Sequence, residues 1–296
     1  MGRFSLVTAV IATYLALGAL ALTAWRITGN AAWAAYFSWP GTLLVGWLSV
    51  VGIWLCLRVI GHFGPDDLLR KGWTLIAWSN TFLLNTVALA QFLRGGSPLY
   101  PFLLTSSGGE SLLLAARRNG VTVGGPLRFA LIAAGLYFVL KAYRRSGLLG
   151  RLAVVDWVVL AIFGVYVARN MVAIAATVKA ESGSPALWQI MGWPVDLLLW
   201  LLLAQALMLF RSAQRMEAGR IGQCWKVLAL GIFLTVATDI GLWATNYGYL
   251  RGSWSALIYY AWLPAAAAFA RAPALQLEAI RAAATGGARR TESAGH

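Results

Sequence analysis

Residues 193–243 read WPVDLLLWLLLAQALMLFRSAQRMEAGRIGQCWKVLALGIFLTVATDIGLW. The stretch opens on Trp193-Pro194, stays apolar to Phe210, and turns through Arg211, Arg215, Arg220 and Lys226. It then returns through a second apolar run that carries one carboxylate, Asp239. Each leg is about 20 residues, enough to cross a ~30 Å hydrocarbon layer. Proline suits a first helical turn, where its missing N–H is no loss, and tryptophan favours the headgroup level. The stretch therefore predicts a membrane hairpin with a basic elbow.

The same logic extends outward over the chain. Hydrophobic residues make up 60% and charged residues 11% of the 296, with a mean hydropathy of +0.70. A soluble domain carries about 25% charged residues. The expected fold is all-α: a polytopic membrane bundle of about eight spans, at 5–25, 40–60, 73–92, 126–143, 152–177, 194–210, 225–243 and 254–272. Together they form a single domain over 1–275, followed by a polar, glycine-rich and disordered tail at 276–296. Residues 99–118 surround Thr105-Ser-Ser-Gly-Gly-Glu-Ser111, too polar to face lipid, and predict an interfacial or re-entrant segment.

The formal charge of +14 would suggest nucleic acid in a soluble protein, but here the basic residues fall in the elbows. One set of elbows holds Arg3; Arg58, Arg70 and Lys71; Lys141, Arg144, Arg145 and Arg151; Arg211, Arg215, Arg220 and Lys226; and Arg271, Arg281, Arg289 and Arg290. The other side holds Arg26, Arg94, Arg117, Arg118, Arg128, Arg169, Lys179 and Arg251. This two-to-one bias places both termini in the cytoplasm of a bacterial inner membrane, with anionic lipids as partners and no nucleic acid.

A duplication is also readable. Trp39-Pro40 and Trp193-Pro194 are 154 residues apart, as are Asn85 and Asp239. Four spans per half would give two parallel repeats inserted in one sense.

Chemistry-bearing groups are few. The only histidines are His62 and His296, and Cys56 and Cys224 stand alone without a CxxC spacing. No metal site or bis-histidine haem is expected, and no cofactor. There is no GxSxG, HExxH or P-loop pattern, so a non-enzymatic protein is favoured over an enzyme, which stays an alternative. Intramembrane ionisable groups mark a site by default. Arg169 lies 13 residues above Asp156, about 20 Å along its helix, and Asp239 lies 14 above Trp225, about 21 Å. An Arg169–Asp239 pair across the bundle, joined by Asn85 and Asn170, is the candidate ligand-binding cluster. Asp196, two residues past Pro194, reads as an acid meeting a helix N-terminus. Glu110, in the glycine-rich segment, is a second candidate for binding.

The Trp-Pro-Val-Asp-Leu-Leu-Leu-Trp run with its basic elbow resembles membrane regions of many bacterial sensors, a pattern too general to carry an activity. Three functions are expected in order of weight. The first is a sensor-like or accessory subunit that binds a lipid, small ligand or protein partner, the last through small-residue helix faces. The second is a small-solute or ion transporter that uses the polar cluster. The third is a membrane enzyme acting on lipid.

Overall fold

The computed structural model describes residues 2–29, 32–92, 107–180, 187–216, 219–246 and 253–293. They form eight helices and, among the described residues, no strand. These are α1 (Gly2–Thr28), α2 (Ala32–Ile60), α3 (Leu68–Phe92), α4 (Ser107–Arg145), α5 (Val154–Ala180), α6 (Leu187–Arg215), α7 (Arg220–Asn246) and α8 (Ser253–Ser293). The first four are 27, 29, 25 and 39 residues long, and the next four are 27, 29, 27 and 41.

Packing follows the same order twice. The most extensive contacts are α3 with α4 and α7 with α8. Helix α2 joins α3 as α6 joins α7, and α2 lies against α8 as α6 lies against α4. These contacts close a ring, α2–α3–α4–α6–α7–α8. Helix α1 sits outside it on α2 and α8, and α5 sits outside it chiefly on α6. Glycines let the tight pairs approach. A Cβ at Gly72 would stand 3.0 Å from the Gly135 carbonyl oxygen of α4, and one at Gly231 would stand 3.1 Å from the Ala268 Cβ of α8.

The largest buried side chains meet on the ring's inner side. Trp73 and Trp225, each in the opening turns of its helix, stack at 5.4 Å between ring centres, and Tyr143 meets Trp225 edge-on at 5.7 Å. Cys56 and Cys224 are free thiols and both are buried. Trp47, Trp54 and Trp78 point outward, as side chains on a lipid-facing surface would.

Five helices, among the described residues, are long and apolar enough to cross a membrane: Leu43–Ile60, Pro126–Arg145, Val154–Val172, Pro194–Arg215 and Arg220–Gly241. That is fewer than the eight expected. Helix α3 opens on Arg70 and Lys71 and buries Ser79 and Asn80, which lowers its hydropathy. The expected spans 5–25 and 254–272 fall partly on side chains outside the described residues.

Helix boundaries differ from the sequence reading in a consistent way. Prolines taken to open helices stand inside them: Pro194 follows seven residues of α6, and Pro126 lies far along α4. A proline in a helix interior forgoes one backbone bond, and neighbouring packing compensates in an apolar bundle. Residues 107–118 of the expected re-entrant segment are helical in α4, while 99–106 lie outside the described residues. The expected tail is helical as far as Ser293, with Gln276 and Leu277 buried.

Candidate functional site

Two contacts set a common level at the basic end of the bundle. Asp156, in the first turn of α5, accepts the Ala153 N–H at 2.7 Å. It is also gripped by Arg211 of α6 through Nε at 2.7 Å and Nη2 at 2.9 Å. The Tyr143–Trp225 ring contact ties α4 to α7.

Counting along the helices from these points leads to one polar layer. Asn170 is 14 residues beyond Asp156, and Asp196 is 15 before Arg211, or about 21 and 22 Å at 1.5 Å per residue. The two meet: the Asn170 side-chain N–H donates to an Asp196 carboxylate oxygen, and both residues are buried. Asp239 is 14 residues beyond Trp225, and Arg128 is 15 before Tyr143, again about 21 and 22 Å. Asp239 lies within Coulombic reach of both Arg128 and Asp196.

Arg128 is 3% exposed. Its guanidinium carbon sits 4.9 Å from the ring centre of Trp262, 5.6 Å from Phe129 and 5.9 Å from Phe269. Aromatic rings favour the cation but accept no N–H bond in their plane. Arg128 Nε and Nη2 and Asp239 Oδ2 are buried and make no hydrogen bond to protein. No ion pair within 4.0 Å joins the two residues. The buried threonines beside them behave differently: Thr235 and Thr238 donate to the carbonyls of Gly231 at 2.9 Å and Leu234 at 2.6 Å. Among the described residues a few neutral side chains, Asn80 and Gln205 among them, also bury a polar atom without a partner, but Arg128 and Asp239 are the charged groups that do so.

Of the residues singled out from sequence, Asp239 and Asn170 fall in this layer. Arg169 is on the exposed side of α5, so the cation facing Asp239 is Arg128 instead. The side chains of Asn85 and Glu110 lie outside the described residues; Glu110 itself is near the start of α4, in helix and not in a loop. Sequence reasoning missed Arg128 and set Asp196 aside. The available signal was spacing: 14 residues from Asp156 to Asn170 match 15 from Arg211 to Asp196 on a neighbouring antiparallel helix.

A groove of about 600 Å³ opens at the basic end, lined by Leu69, Tyr143, Met216, Arg220, Ile221 and Gln276 among others. Its wall is mostly apolar, and it lies a helix length away from the polar layer. No group of three or more His, Cys, Asp or Glu side chains clusters as metal ligands would, among the described residues. Comparison with models of known protein families, with curated proteins and with solved structures finds no match.

Proposed function

We propose that this chain is a multi-pass membrane carrier for a small polar solute, with its binding site at the Arg128–Asp239–Asp196–Asn170 layer. The observation that carries the reading is the pair of opposite charges in one layer about 21 Å from the basic end, Arg128 buried and Asp239 half-buried, with the Arg128 Nε and Nη2 and the Asp239 Oδ2 enclosed and meeting no protein partner. A structural ion pair in an apolar interior would close on itself, because each unmatched charged group is expensive to bury. Groups held short of contact suit something that arrives and leaves.

On this reading all eight helices cross the bilayer, with both termini and the basic elbows in the cytoplasm of a bacterial inner membrane. The matched helix lengths and matched packing support two parallel four-helix repeats, with an axis along the membrane normal. A ring of six helices that carries Arg128, Asp196 and Asp239, with Asn170 reaching Asp196 from α5 outside it, is a suitable frame for two halves that rock against each other.

The test is uptake. Proteoliposomes are incubated with a defined mixture of amino acids, organic acids, amines and sugars, and trapped solutes are quantified by mass spectrometry. At least one solute should accumulate above empty liposomes, and Asp239→Asn should abolish that accumulation while the protein still inserts. Equal trapping by the variant, or no trapping at all, would overturn the proposal.

A second reading, an accessory or sensor-like subunit, is favoured by one feature. Helix α5 packs chiefly on α6, and Val154, Val155, Trp157, Val158 and Ile162 face outward from it. Such a face is available to a partner helix as well as to lipid.

A further inference from the structure

We infer that the polar layer recognises a small zwitterion, with its carboxylate on Arg128 and its ammonium on Asp239; the inference rests on the site, but not on the transport, proposed above.

The chain holds its own template for the first half of this contact. Arg211 grips Asp156 through Nε and Nη2, the edge of a guanidinium that presents two parallel N–H groups to a planar carboxylate. Arg128 has the same two nitrogens buried and without a protein partner. The rings of Trp262, Phe129 and Phe269 surround its guanidinium and supply no acceptor. An oxyanion with two oxygens in a plane is the complement of that edge.

Asp239 supplies the second half. Its Oδ2 is an acceptor with no donor, and the nearby Asp196 carboxylate adds negative potential that favours a cation there. A simple anion would satisfy Arg128 and be repelled by two carboxylates. A simple cation would satisfy Asp239 and leave Arg128 unmatched. Only a solute with both charges pairs Arg128 and Asp239 together, and a site built to hydrogen-bond a group rejects analogues that lack it.

The experiment uses the full-length protein in detergent micelles. Melting temperature is read with each protein-forming L-amino acid, with the corresponding amino-acid amides, which lack the carboxylate, and with the N-acetyl acids, which lack the ammonium. At least one amino acid should raise the melting temperature, and its amide and N-acetyl forms should not. Arg128→Lys keeps the charge but loses the two-pronged edge, and Asp239→Asn removes the acid. Each should weaken binding on the order of 100-fold. If a variant fails to fold, the comparison of acid, amide and acetyl forms on the unaltered chain decides alone. The inference is overturned if no amino acid stabilises the protein, if amides do so equally, or if folded variants bind as the parent does. Amino-acid binding without Asp239-dependent uptake would sink the carrier reading and leave this one. Uptake of a sugar with no amino-acid binding would do the reverse.

Discussion

Gly150 provides a sharp test of how α5 is held to the ring. It lies in the connector before α5, and its N–H donates to the Ser212 hydroxyl at 2.8 Å. A Cβ built there would meet the Arg211 carbonyl carbon and the Ser212 nitrogen at 2.5 Å each, and the Arg211 Cβ at 2.7 Å. Ordinary contact begins at 3.4 Å, so Gly150→Ala must open the connector from α6 by about 0.9 Å. Two of the three obstructing atoms are main chain and cannot rotate aside. Overpacking of this kind costs about 1–3 kcal/mol, and stretching the Ser212 bond adds about 1 kcal/mol. The expected loss is therefore about 2–4 kcal/mol. Denaturation by an ionic detergent, followed by circular dichroism, measures it. Gly64→Ala is the internal control, since a Cβ there has nothing within 4 Å and its backbone is unstrained. If Gly150→Ala proves no less stable than Gly64→Ala, the close approach of connector and α6 described above is wrong.

Two further outcomes follow from buried groups. Trp225→Ala should cost about 3–5 kcal/mol by the same denaturation assay, since the ring is fully buried between Trp73 and Tyr143. Pairing it with Trp73→Ala in a double-mutant cycle should give a coupling of about 0.5–1.5 kcal/mol; additive losses would contradict the stack. Cys56 and Cys224 should resist maleimide in the folded protein and label promptly once it is denatured, because both are buried in the bundle. Rapid labelling of either thiol before denaturation would show that its helix packs differently.

The helical class, the apolar legs and the basic elbows could all be read from the residues, because hydropathy over some 20 positions is a strong signal. Side-chain direction was a weaker one. Helix α5 is apolar on every side, so no periodicity shows which face turns inward. Neighbouring residues on a helix point about 100° apart, and Arg169 and Asn170 divide accordingly, one outward and one buried. Arg128 and Asp196 were obscured by a shared cause. Each stands two residues past a proline, which made both look like groups at a helix entrance. In the structure α4 begins at Ser107 and α6 at Leu187, so both charges lie well inside.

The stack of Trp73 on Trp225 has a consequence for how such a site can arise. On the proposed repeat these two rings stand in the opening turns of corresponding helices, two residues out of register with the 154 offset, so the contact approximates the isologous contact of a symmetric dimer. A pair of identical subunits would carry every charge twice, and a cation on one side would face the same cation on the other. Joining the halves in one chain frees them to diverge, so that Arg128 belongs to the first half and Asn170, Asp196 and Asp239 to the second. Asn85, the counterpart of Asp239 at an offset of 154, is neutral. Covalent fusion is thus what permits a near-symmetric frame to hold a polarised centre.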